Sequence, residues 1–273
     1  MTAARALVVA GFGINCEEET AAAYRLAGAV ARVEHLESVL RGDVGLAGFD
    51  IVHLPGGFSF GDDLGAGRVL ANRIRERRLP GRTTMGGELA ALARRGGMVI
   101  GVCNGFQALV ELGLVPNVGG GGEVEAALMQ NASGKYEDRW VRVRSRAECP
   151  APVWTGLEEW EVPVRHGQGR LVFRDEALRE KVARLHLNGL TYCDERGTPT
   201  DRYPENPNGA ELACAALCDP SGRILGIMPH PEAYLSLYNH YDWPRIRRER
   251  PGESEDGAGL TFFRNVVRAV AGT

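Results

Sequence analysis

The sequence predicts an α/β protein: a doubly wound, mostly parallel sheet flanked by helices, with a small antiparallel extension. Three observations carry this. Short runs rich in Val, Ile and Leu recur at 6–10, 49–54 and 97–102, with a more polar run at 30–36. That is how strands covered on both faces read. Segments of helical period separate them, and the runs at 6–10, 49–54 and 97–102 end at turns containing glycine, which favours βαβ units and a parallel sheet. In such sheets ligands collect at the carboxyl ends of the strands.

The elements follow in order. Residues 6–10 form a first buried strand and 11–16 its turn. A helix is expected over 17–29, where Glu17, Glu18 and Glu19 favour the positive end of the helix dipole. Strands follow at 30–36 and 49–54, the latter stopped by Pro55-Gly56-Gly57. Segments 64–78 and 88–94 read as helices. Gly119 to Gly122 read as a flexible connector, without the Lys-Ser/Thr of a phosphate loop. Short strands at 140–143, 160–164, 171–173 and 189–193 make the antiparallel extension. Residues 210–218 and 223–228 form a hairpin through Asp219-Pro220-Ser221-Gly222. The charged runs at 245–250 and 253–256 read as a solvated loop, and 260–271 as a last helix. The chain reads as one domain over 1–273.

Composition narrows the function. A net charge of −3 gives no basic footprint for nucleic acid, and no apolar run approaches membrane-spanning length. Six cysteines without a Cys-x-x-Cys pair suit free thiols in a reducing compartment. The opening residues 1–5 lead straight into the first strand with no apolar leader. The expected location is cytoplasmic.

The chemistry centres on residues 97–110. The strand ends at Cys103, bracketed by Gly101 and Gly105, and a helical segment begins at once (Phe106, Leu109, Val110). This is a nucleophile elbow carrying sulfur: the thiol sits at a helix N-terminus, and the Asn104 amide faces any oxyanion formed on an attacked carbonyl. A buried, inert core cysteine fits the local pattern about as well. A nucleophile needs a base and the base an orienter. Among six histidines, His35 and His53 lie in or beside strands and read as structural, while His186 and His240 sit in polar surroundings. His230 follows the strand at 224–228 and precedes Glu232; residues two apart in an extended segment face the same way, so imidazole and carboxylate can pair. The glycines of 55–62 allow a bare backbone to approach an acyl site as the second oxyanion donor.

Pro-Gly-Gly-Phe-Ser-Phe-Gly-Asp at 55–62, Gly-Val-Cys-Asn-Gly-Phe-Gln at 101–107 and Met-Pro-His-Pro-Glu at 228–232 resemble the three signatures of class I, triad-type glutamine amidotransferases, which have a flavodoxin-like fold. Their variants, with Pro-Val-Arg-His-Gly-Gln-Gly at 163–169, Asn-Pro-Asn-Gly at 206–209 and Asn15-Cys16-Glu17, are similar to the glutaminase subunits of phosphoribosylformylglycinamidine synthases. The resemblance implies Cys103 as nucleophile, His230 as general base and acid, and Glu232 as its orienter. It implies an oxyanion hole and substrate site from Gly56, Gly57, Phe58 and Asn104, in which the Gly57 and Asn104 amides are the donors, with Gln107 holding glutamine. It also implies transfer of ammonia to a synthetase subunit that binds ATP and Mg²⁺, often with a small bridging subunit; this chain itself is expected to hold no cofactor or metal. Ala233 stands where the family usually has Arg, and insertions lie around 82–95 and 243–257. His166 reads either as a turn histidine or, through the resemblance, as partner-facing.

Two other readings remain. Gly11-Phe12-Gly13-Ile14-Asn15-Cys16 with Glu34 and Glu37 half-matches a dinucleotide fingerprint, although Cys16 occupies the place of the third glycine. A cysteine-dependent hydrolase or redox-sensing protein of the same fold would share the elbow.

Overall fold

The computed structural model describes residues 3–81, 83–252 and 254–271. Met1 and Thr2 of the opening segment, Arg82 of the 82–95 insertion, Glu253 of the second charged run, and Gly272 and Thr273 lie outside the described residues.

Eleven strands and eight α-helices are present among the described residues. The first half alternates strand and helix, with α2 added to the expected elements: β1 (Arg5–Ala10), α1 (Glu17–Leu26), β2 (Val30–His35), α2 (Leu36–Arg41), β3 (Ile51–Leu54), α3 (Arg68–Glu76), α4 (Met85–Arg94), β4 (Met98–Val102) and α5 (Asn104–Glu111). The second half holds β5 (Ala126–Gln130), β6 (Glu137–Ser145), β7 (Glu159–His166), β8 (Gln168–Phe173), α6 (Glu176–Arg184), β9 (Leu190–Tyr192), β10 (Cys214–Cys218), β11 (Ile224–Ile227), α7 (Trp243–Glu249) and α8 (Ala258–Ala271).

Nine strands form one sheet in the order β2-β1-β3-β4-β11-β10-β9-β6-β7. The first five run parallel and the other four continue it antiparallel; β5 and β8 pair separately. The parallel core with flanking helices is therefore as the sequence predicts, and the antiparallel extension is part of the same sheet. Helix α1 packs on α8, and α3 on α4 and α5; α5 and α8 both meet β4. Because β4 has a strand on each side, these helix groups cover its two faces. Strands β3, β4 and β11 are buried along their whole length, which accounts for sequences that are apolar apart from His53 of β3.

Several local expectations change. The 245–250 charge run is the exposed helix α7, begun by a proline in its first turn and tied by Arg245 to Asp242 and Glu249. Helix α4 begins at Met85 rather than 88, capped by the Thr84 hydroxyl, which accepts from the Gly87 amide at 3.2 Å. Helix α6 was not expected, although its signal is present: Asp175 caps it, accepting from the Leu178 amide at 2.8 Å, and Leu178 and Val182 bury one stripe. No described helix is long and apolar enough to cross a membrane.

Candidate active site

The site gathers at the carboxyl ends of β1, β3, β4 and β11, adjacent strands of the parallel half. Cys103 stands between β4 and α5 with φ 49° and ψ −103°, a conformation that costs roughly 1–3 kcal/mol in a non-glycine residue and persists only where surroundings enforce it. The flanking glycines are what permit it. A Cβ on Gly101 would lie 2.6 Å from the Gly105 carbonyl carbon. The elbow is tied to β11 through the Cys103 amide, which donates to the Ile227 carbonyl at 2.8 Å.

His230 is held from the other side: its amide donates to the Pro163 carbonyl at 2.9 Å. Its Nδ1 meets Glu232 Oε1 at 2.6 Å, with both side chains buried. Burial is the largest influence and opposes charge on the imidazole, but the Glu232 carboxylate and the Cys103 sulfur together outweigh it and hold His230 well above the ordinary histidine range. Glu232 moves the other way: burial raises it, and the His230 charge and hydrogen bond prevail and lower it. Nε2 of His230 has no hydrogen-bond partner. That nitrogen remains available for proton transfer, while Nδ1 is committed to the orienting carboxylate. Cys103 and His230 line the same small cavity of about 170 Å³, and Cys103 Sγ also lies 3.6 Å from the Arg165 carbonyl.

The loop after β3 brings Gly56 and Gly57 to this cavity. A Cβ on Gly56 would meet His230 Cε1 at 2.7 Å. Gly57 has φ 144°, and a Cβ there would strike the Gly13 carbonyl at 2.6 Å. The Phe58 amide donates to the Gly13 carbonyl at 2.8 Å, so it is not an oxyanion donor; its exposed ring instead flanks Tyr136. The Asn104 amide is at the first turn of α5 and lacks an intrahelical acceptor. The Asn104 side chain clamps the loops together, with Oδ1 accepting from the Ser59 amide at 3.1 Å and Nδ2 donating to Asp62 Oδ1 at 3.1 Å and Gln107 Oε1 at 2.9 Å. Gln107 Nε2 donates to the Gln168 carbonyl at 2.5 Å, so this side chain fixes the turn between β7 and β8.

A larger cleft of about 340 Å³ opens beside the small cavity and shares Gly57, Phe58, Cys103, Tyr136 and Arg165 with it. Asp62, Lys135 and Arg165 line it, an acid facing two cations. Burial raises the Asp62 carboxyl, although Asn104 donates to it. Asp62 closes the 55–62 motif and Arg165 lies within the 163–169 motif, whereas Lys135 belongs to neither.

Cys16 was expected only in a turn. Its buried thiol instead lies beside His230 and donates to Asn15 Oδ1 at 3.4 Å; burial raises its pKa, offset in part by the neighbouring imidazole. One donor atom each from Cys16, His230 and Glu232 lies within 4.8 Å of the others, but the carboxylate and Nδ1 already bind each other. The glycines before Cys16 do not cradle a dinucleotide. A Cβ on Gly11 would lie 2.4 Å from His35 Nε2, and one on Gly13 would lie 2.3 Å from the Phe58 carbonyl oxygen. These glycines let the first turn and the loop after β3 lie against each other.

His53 is structural, as expected, bonded through Nδ1 to the Tyr24 hydroxyl at 3.0 Å. His166 is buried, with Nδ1 3.1 Å from Asn131 Oδ1, and so does not face outward. His240 is not in polar surroundings: it is buried beneath Trp140 and Tyr241 and bound to Glu161 at 2.8 Å.

A parallel sheet with a cysteine elbow at one strand end and a His-x-Glu pair at the next has the layout of a cysteine-dependent acyl-transfer site. Residues 3–270 match the family described as the CobB/CobQ-like glutamine amidotransferase domain, and the chain belongs to it. Within that family it is 36% identical over 269 residues to the phosphoribosylformylglycinamidine synthase subunit PurQ of Dehalococcoides mccartyi, covering 98% of each chain. It is 38% identical over 273 residues to the subunit of that name from Methanococcus maripaludis, covering 96% of each. Among solved structures it resembles a chain of PurLQS from Thermotoga maritima, with 27% identity, a TM-score of 0.67 and 99% of each chain covered.

Proposed function

We propose that this chain is the glutaminase subunit of a phosphoribosylformylglycinamidine synthase, and that Cys103, His230 and Glu232 release ammonia from glutamine for a synthetase partner. The observation that carries it is the pairing of His230 with Glu232 at 2.6 Å, with the free Nε2 in the cavity that holds Cys103. The names of the full-length relatives support the pathway.

Glutamine enters the 340 Å³ cleft with its side-chain amide towards Cys103. Asp62 is placed for its α-ammonium, and Lys135 and Arg165 for its α-carboxylate. The sulfur, its proton passed to His230 Nε2, attacks the amide carbon. Oxyanion charge falls to the Gly57 and Asn104 amides. The tetrahedral adduct collapses as His230 returns the proton to the leaving nitrogen, releasing ammonia and leaving a γ-glutamyl thioester. Water, deprotonated by the same nitrogen, hydrolyses it to glutamate and restores the thiol. Glu232 keeps the imidazole oriented through both halves. ATP and Mg²⁺ belong to the synthetase partner, and a small third subunit bridges the two.

A chloroketone analogue of glutamine, incubated with the complex and followed by peptide mapping, tests the assignment. Modification of Cys103 with loss of glutamate release is expected. Modification of Cys16 alone would transfer the nucleophile role to it.

A further inference from the structure

A cavity of about 720 Å³ shares no lining residue with the catalytic cleft. It lies beside the segment after β6, and Cys149 is in its wall. Behind Cys149 lies Cys218, the last residue of β10, with the two sulfurs 3.7 Å apart and both thiols free. Cys149 is half-buried, whereas Cys218 is fully covered. Gly189 makes the space for this arrangement, since a Cβ there would lie 2.4 Å from Cys149 Sγ. The indole N–H of Trp154 is buried beside the same sulfur and has no hydrogen-bond partner. A thiolate at Cys149 would give it one.

We propose that Cys149 and Cys218 form a redox-active dithiol, unrelated to glutamine hydrolysis, that exchanges with small zwitterionic peptide disulfides entering this cavity. The wall carries Arg144 and Arg146 together with Glu148 and Glu158, which suits a ligand bearing both carboxylates and an ammonium group. The roles of the two sulfurs differ. The Cys218 thiol donates to Cys149 and, against the cost of burial, brings Cys149 down to about 7, with the Ala151 amide, Trp154 and Arg146 adding to the effect. Cys218 moves upward, because beside that sulfur and under burial it keeps its proton. Cys149 is therefore the attacking thiolate and Cys218 the resolving thiol.

The exchange balances in two steps. The Cys149 thiolate attacks one sulfur of the disulfide RSSR, forming a Cys149–SR bond and expelling RS⁻. Cys218, losing its proton to that leaving thiolate, then attacks the Cys149 sulfur. The Cys149–Cys218 bond forms and the second RS⁻ departs. Two protein thiols are oxidised and one disulfide is reduced to two thiols.

Oxidised glutathione is the probe, with uncharged hydroxyethyl disulfide as the comparison, both applied to the full chain and followed by peptide mass mapping. The expected result is a Cys149–Cys218 disulfide that forms before Cys103 is modified, several-fold faster with oxidised glutathione, while alkylation-detected Cys103 stays free. In Cys218→Ser a glutathionyl adduct accumulates on Cys149. The wild-type mapping stands without any variant. Cys149 and Cys218 remaining reduced while other cysteines react would overturn the proposal, and equal rates with the two disulfides would overturn the ligand class.

Discussion

Gly105, the second residue of α5, lies so close to Leu54, the last residue of β3, that a Cβ on it would sit 1.8 Å from the Leu54 carbonyl oxygen. This contact seats the cysteine elbow against the loop carrying Gly56 and Gly57. Gly105→Ala must therefore push the two apart. The expected result is a stability loss of about 1–3 kcal/mol or more in urea denaturation, with glutaminase activity falling further than stability alone explains, because the Asn104 amide moves with the helix.

Glu232→Gln keeps the shape of the buried pair and removes its charge. The largest influence that raises His230 is then gone, and its pKa falls from its elevated value, readable by imidazole NMR titration. The rate of glutamate release drops roughly 100- to 10,000-fold. The stability effect has a definite window. Glu232, lowered in the fold, stabilises above its unfolded pKa, and that contribution is lost as pH falls through its folded value. His230, raised in the fold, stabilises below its unfolded pKa, and that contribution is lost as pH rises through its folded value. Both contributions are present in full only between the two unfolded values, 4.5 and 6.5, so the variant should lose most stability in that window.

His53 provides a separate acid-side effect. Burial lowers it from 6.5 to about 4, so between those pH values the unfolded chain binds a proton that the folded chain does not. Stability falls with acidification there, by up to about 3 kcal/mol. His53→Gln should flatten the dependence of the urea midpoint on pH between about 6.5 and 4. An unchanged slope would show that another group titrates.

Gln107 bridges Asn104 and the Gln168 carbonyl. Gln107→Leu leaves that half-buried carbonyl without its donor, at a cost of about 1 kcal/mol. The turn that carries Gln168 and borders the cleft then loosens. KM for glutamine should rise more than kcat falls, measured by steady-state glutamate release in the complex.

Much of this site is visible in the chain itself, and the reasons are local. Gly101 and Gly105 announce a close approach on both sides of Cys103, and the spacing of His230 and Glu232 encodes their pairing through strand geometry. What sequence reading misses depends on distant partners. His240 looks unremarkable until Glu161 and Trp140 arrive from strands β7 and β6. The role of the Phe58 amide appears only once the Gly13 carbonyl takes it. Cys16 reaches His230 because the turns after β1 and β3 interlock through Gly13 and Gly57. Helix α7 is hidden by its charge, since it buries no residue and so has no apolar stripe to read.

The central claim is that the sulfur of residue 103 is what extracts nitrogen from glutamine for the synthetase. Synthesis of formylglycinamidine ribonucleotide by the complex containing Cys103→Ala, run with glutamine and separately with ammonia, tests it directly. The account predicts that ammonia supports turnover and glutamine does not; turnover with glutamine at the wild-type rate would contradict it.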